Sequence, residues 1–173
     1  MFFKVQGVYG LTPKLPAVAG NEGVGVVTAI GGNVQGIKAG DWVIPSNAGN
    51  GFNTWQTEFV ADQQDVLKVP NDIPAAYAAT ISVNPCTAYR MLRDFVDLQP
   101  GDVIIQNGAN SMVGQAVIQL AREKGVKTIN VVRENRPFME GVIRTLQGMG
   151  GDVVLPDNYL NTPVSFSRWD MCM

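Results

Sequence analysis

Residues Gly101 to Arg136 read GDVIIQNGANSMVGQAVIQLAREKGVKTINVVRENR, and their pattern decides the fold. Val103-Ile104-Ile105 is an apolar run long enough for a buried strand and too short for a helix. The turn Gly108-Ala109-Asn110-Ser111-Met112-Val113-Gly114 follows at once. Val113, Val117, Ile118, Leu120 and Ala121 then form a helical stripe that ends near Gly125, and Thr128 to Val132 is a second β-rich run. Strand, glycine turn and helix N-terminus together make an anion site, because the first helical N–H groups have no partner and the helix dipole adds positive potential. In a βαβ unit the usual guest is a dinucleotide pyrophosphate.

The spacing departs from the dinucleotide fingerprint G-x-G-x-x-G. Gly108, Ser111 and Gly114 give G-x-x-S-x-x-G, so a bare structural turn is the competing reading and the strand–turn–helix context favours a nucleotide. Arg133 stands just after the second strand, nineteen residues beyond Gly114. An acid at the strand end would take the ribose 2′-OH of NAD, whereas a guanidinium suits the 2′-phosphate of NADP. The loop Arg133-Glu134-Asn135-Arg136 therefore favours NADPH, against the alternative of two solvated surface charges.

Composition narrows the chemistry. The 173 residues are 46% hydrophobic and 16% charged, enough for a core, and the net charge of −2 gives no electrostatic case for nucleic acid or an acidic membrane surface. Glycine, at 19 residues, is enriched over a usual share of about 7%, as turn-rich β structure requires. There is no histidine, and Cys86 and Cys172 are the two cysteines, so neither a zinc set nor a histidine base is expected. No disulfide framework, secretory leader or membrane span is expected either.

Along the chain, residues 1–17 read as looped or extended. A strand is expected over Gly23–Ile30, followed by Trp42–Ile44, Thr54–Val60 and Val66–Pro70, the spacing of a small barrel. Short helices are expected over Pro74–Ile81 and Pro85–Phe95, a third from Pro137 to about Met149, and a third sheet strand at Asp152–Leu155. Cys86 reads as a small packing residue on its helix, and Trp55 and Glu58 as barrel residues. The fold class is α/β: a small β-barrel over residues 1–82, then a Rossmann-like parallel sheet with helices over 83–160, then a tail without periodicity over 161–173.

The stretches QGVYGL, LPAVAGNEGVG, GDWVIPSNAG, VNPCTAYRML, LQPGDVIIQNGANSMVGQAVIQLA and TINVVR carry a closer likeness. Over about residues 4 to 158 the chain resembles the zinc-free, mitochondrial trans-2-enoyl-CoA reductase branch of the medium-chain dehydrogenase/reductase superfamily. The resemblance implies an NADPH-dependent oxidoreductase of fatty acid biosynthesis, acting on enoyl-CoA or enoyl-ACP, with hydride going to Cβ and a proton to Cα. It implies no metal, since Asn21 stands where zinc-dependent members carry a histidine before Glu22. It makes Tyr9 the proton donor, a residue that by itself reads as a loop aromatic. Asn84, otherwise a helix cap, becomes a cofactor contact. Asn110, Ser111, Met112, Val113 and Gly114 become the phosphate turn, and Arg133, Glu134 and Asn135 the 2′-phosphate loop. A mitochondrial location and, for full-length proteins, a homodimer are further implications.

Two departures qualify this expectation. Met112 replaces a glycine of the family, where its side chain would hinder close approach of a phosphate. Family members also continue for another half, so a shortened form with weak or no catalysis in isolation is expected. A zinc-free quinone reductase and a non-catalytic fragment acting by protein interaction remain the alternatives.

Overall fold

The computed structural model describes residues 16–46, 53–134 and 138–161. The chain forms two compact units, Met1–Val83 and Asn84–Met173.

The first unit holds an antiparallel sheet of β1 (Gly25–Val26), β2 (Trp42–Pro45) and β3 (Val66–Val69), in that order. β2 is central, and its apolar run buries Val43 and Ile44 as the core of this sheet. Val43 pairs with Lys68 and Ile44 with Leu67. A 3-10 turn at Gln63–Asp65, capped by the Asp62 side chain, feeds β3. Helix α1 (Ala75–Thr80) follows Pro74 and buries Ala78.

Two strand expectations need correction here. β1 is much shorter than Gly23–Ile30, because its partner turns away at Gly40, which adopts φ +90°. Val27 still bonds across that turn, its N–H donating to Asp41 O and its carbonyl accepting from Gly40 N–H. Thr54–Val60 forms no strand. Its start is instead tied to the Ala19–Glu22 loop by Trp55 N–H to Ala19 O at 2.8 Å and the Thr54 hydroxyl to Glu22 O at 2.6 Å. Trp55 and Glu58 accordingly lie exposed outside any strand.

The second unit is a β-α-β-α-β sequence. Strands β4 (Val103–Asn107), β5 (Lys127–Val132) and β6 (Val153–Pro156) lie parallel in that order. Parallel neighbours need long crossovers, supplied by α3 (Met112–Glu123) and α4 (Met139–Gly148). Helix α2 (Asn84–Arg93) packs through Ala88 and Leu92 against Val117 and Ala121 of α3, with Leu98 and Val126 in the same cluster. A second cluster joins Ala109, Ile118, Val132 and Leu146, with Val142 and Val154 against it. The helices therefore cover the sheet face that carries Ile104, Val132 and Val154. Strand alternation sends Val103 and Ile105 to the other face, where they are 56% and 63% exposed.

A polar chain runs through the covered side. Asn130 is fully buried; its amide accepts from Gln106 Nε2 at 2.8 Å and donates to the Thr128 hydroxyl at 2.8 Å and to Val153 O at 3.1 Å. Thr128 N–H donates to the Asp152 carboxylate at 2.8 Å. All three strands are thus pinned in register by satisfied amides, and no buried side-chain polar atom among the described residues lacks a partner.

Further differences lie at helix ends. α4 begins at Met139 rather than Pro137, because Phe138 sits in the left-handed region at φ 61° and cannot continue a helix backward. An unanticipated 3-10 turn, Asp157–Asn161, follows β6. Cys86 is exposed and not a packing residue, since the buried stripe of α2 falls on Ala88 and Leu92.

Asp41 yields a pH test of the first unit. It is 7% exposed, and its Oδ2 accepts from Lys38 N–H at 2.9 Å and meets Lys68 Nζ at 2.8 Å. The Lys68 contact, and then the Lys38 N–H, hold its carboxyl below the ordinary value of 3.8. A depressed folded value stabilises the fold above the unfolded value and loses that contribution as pH falls through the folded one. Lys68 is half-exposed, so solvent screens the pair and the effect is modest. Asp41→Asn should lower the melting midpoint near neutral pH, and the gap to wild type should narrow as pH falls below the ordinary carboxylate value of 3.8. Parallel thermal melts across that range check it; a gap independent of pH would contradict it.

Candidate functional site

The site is the rim at the carboxyl ends of β4 and β5, where parallel sheets place their ligands. β4 ends at Asn107, paired with Val131, so the glycine turn and Arg133 emerge from neighbouring strands at the same end. Gly108, at φ +59°, makes the sharp exit from the strand. Ala109 is fully buried, and its N–H donates to Val131 O at 3.2 Å. Ser111 N–H closes back to Gly108 O at 2.9 Å. Ser111 caps α3, its hydroxyl accepting from Gly114 N–H at 3.1 Å.

Gly114 fixes how close helix and strand come. A Cβ there would lie 2.5 Å from Ala109 O and 2.7 Å from Ala109 Cα, both backbone atoms that cannot yield. Gln106 Nε2 donates to Gly114 O at 3.1 Å, and Gln115 Nε2 to Asn110 O at 2.9 Å. The turn is thus clamped from the strand below and the helix behind.

Two donors stay open in this clamp. The N–H groups of Met112 and Val113 find no acceptor among the described residues. They stand in the first turn of a twelve-residue helix with no acid in that turn, where the dipole favours an anion. Met112 is 62% exposed, so its side chain leaves the protein surface and does not fill the turn. Open N–H donors, an exposed Gly108 with no neighbour around its would-be Cβ, and an unfilled mouth fit a dinucleotide pyrophosphate.

Arg133 lies exposed just beyond β5 and makes no ion pair among the described residues. Glu134 N–H donates to Asp157 Oδ1 at 2.9 Å, and Asn158 Nδ2 donates to the Glu134 carboxylate. Asp157 and Asn158 were invisible as site residues in the sequence; only the return of β6 beside β5 brings them there.

Asn84 is the first residue of α2, ahead of Pro85 in the first turn, and no hydrogen bond among the described residues joins it to the glycine turn. Tyr9 and Asn135 lie outside the described residues. Glu22, beside Asn21, accepts from Val83 N–H at 2.9 Å and from the Ser82 hydroxyl at 3.1 Å, an anchoring role that sequence reading missed. No three His, Cys, Asp or Glu side chains among the described residues gather as a metal site. A depression of about 420 Å³ at the far end of α3, lined by Gln119, Arg122 and Met149 among others, is remote from the turn.

Residues 2–71 match the alcohol dehydrogenase GroES-like domain. The mitochondrial enoyl-[acyl-carrier-protein] reductase of Rattus norvegicus is 58% identical over 159 residues, covering 92% of this chain and 42% of the relative. Over nearly its whole length the chain is thus similar to these mitochondrial enoyl reductases. It spans less than half the length of the curated relatives it matches. The mitochondrial 2-enoyl thioester reductase heterodimer from Candida tropicalis matches with 36% identity and TM-score 0.83, over 92% of this chain and 49% of that one. The ETR1P complex with NADP and crotonyl-CoA matches with 35% identity and TM-score 0.82 over the same shares. The fold is thus a GroES-like β unit followed by Rossmann-like βαβαβ, shared with these solved structures.

The contact at Gly114 predicts contrasting costs within one turn. Gly114→Ala should destabilise by about 1–3 kcal/mol through overpacking. Gly108→Ala, with open space but positive φ, should cost roughly 1–2 kcal/mol. Ser111→Ala should cost about 1 kcal/mol by removing the cap. Urea midpoints of the three variants check the ranking; Gly114→Ala at wild-type stability would contradict the close approach.

Proposed function

We propose that this chain carries the NADPH-binding turn and the proton-donating tyrosine of a 2-enoyl thioester reductase, in which an enoyl-CoA or enoyl-ACP is reduced at its C=C bond. The Met112 and Val113 N–H donors at the head of α3, which find no acceptor among the described residues, and Arg133 on the same rim, which has no ion-pair partner among them, are the observation that carries this reading. Similarity to the mitochondrial enoyl reductases, and the chemistry in those relatives' names, support it.

In this reading the first unit contributes to the substrate side and the second holds the cofactor. Bound NADPH supplies hydride for Cβ. The chain's own residues do the rest: the α3 amides and dipole neutralise the pyrophosphate, and the Arg133 guanidinium takes the 2′-phosphate in a charge-assisted pair. Asn84 is a further proposed cofactor contact, and Asn135 a further part of the 2′-phosphate loop. Tyr9 is the proposed acid at Cα, a phenol whose transfer to developing enolate charge needs no metal. Mitochondria are the proposed compartment and a two-subunit assembly the proposed state, both from the relatives.

A ligand that binds only the folded protein raises its melting midpoint. NADPH should raise the midpoint of the chain, followed through its three tryptophans, more than NADH does, and Arg133→Ala should abolish that difference. Turnover of crotonyl-CoA with NADPH is the activity assay, and Tyr9→Phe should lower it by roughly 100-fold or more. A midpoint indifferent to both nucleotides would overturn the reading.

A further inference from the structure

Arg133 has an acid as its neighbour in the chain, and that neighbour is restrained. A carboxylate beside a guanidinium competes with phosphate for the same donors. Glu134 is restrained twice: its N–H is held by Asp157 Oδ1 at 2.9 Å, and its carboxylate is held by the Asn158 amide. Both partners come from the 3-10 turn directly after β6, more than twenty residues further along the chain. β6 pairs with β5 from Ile129 to Val132, so this turn is delivered beside the end of β5 by the sheet itself. Arg133 meanwhile has no carboxylate partner among the described residues.

We infer that Asn158, with Asp157, is a positioning residue for cofactor selectivity: it holds the Glu134 carboxylate off Arg133 and so leaves the guanidinium available to a ribose 2′-phosphate. The inference rests on the NADPH reading above and adds how its selectivity is maintained. The choice of an amide matters, because Nδ2 donates to a carboxylate while leaving its charge in place. Once released, Glu134 would form an exposed pair with Arg133, and such a pair weakens phosphate binding without touching the rest of the nucleotide.

The test compares two probes on the whole chain, since NADH shares every group of NADPH except the 2′-phosphate. Calorimetric titration of Asn158→Ala should show the NADPH-over-NADH affinity ratio reduced by roughly two- to fivefold, with NADH affinity unchanged. Adding Glu134→Gln to Asn158→Ala should restore the ratio, because the competing charge is then gone. A loss of folding would lower both affinities together and is thereby distinguished. Asn158→Ala with the wild-type ratio, or no rescue by Glu134→Gln, overturns the role of Asn158 alone. Wild-type chain that binds NADH as tightly as NADPH, or binds neither, overturns the NADPH reading and this inference with it.

Discussion

The second unit depends on the approach of Gly114 to the backbone of Ala109. With no Cβ at Gly114, α3 starts directly above the end of β4, its capping hydroxyl and first free amides at the strand mouth. That placement fixes everything downstream. It sets which face of α3 meets Ile104 and Val132, and it points the helix dipole across the sheet rim. It also explains how the turn dispenses with the usual second glycine: Ser111 supplies the cap, and the exposed Met112 side chain leaves its own N–H uncovered.

Beneath the turn, the Gln106–Asn130–Thr128 amide and hydroxyl chain does a different job. An apolar core would let parallel strands slip, because hydrophobic contact is not directional. The fully buried Asn130 amide and the buried Thr128 hydroxyl, both satisfied, allow one register only. The bond from Gln106 to Gly114 O couples this register to the helix start, so strand pairing and the anion turn are fixed by one network. The opposite face is unlike it, with Val103 and Ile105 open to solvent in this chain.

Much of this was readable from residues 101–136 alone. The apolar triplet, the glycine turn, the helical stripe and the second β run gave β4, α3 and β5 almost at their observed limits, because period and turn chemistry are local. The first unit was less legible. Thr54–Val60 has strand composition but finds no strand to pair with among the described residues, and Gly23–Ile30 loses its partner at Gly40, so propensity gave way to pairing. The start of α4 failed for another reason, since Phe138 takes a backbone conformation that its type does not announce.

The sequence by itself determined the α/β class, the glycine turn with its helix-capping serine and the arginine beyond β5, because each is written in consecutive residues. Only the tertiary structure decided what surrounds that arginine. Asp157 and Asn158 reach Glu134 through the pairing of β6 with β5, and Glu22 reaches Val83 across sixty-one residues. Such contacts join segments distant in the chain, and no local pattern of residues encodes them until the strands have chosen their neighbours.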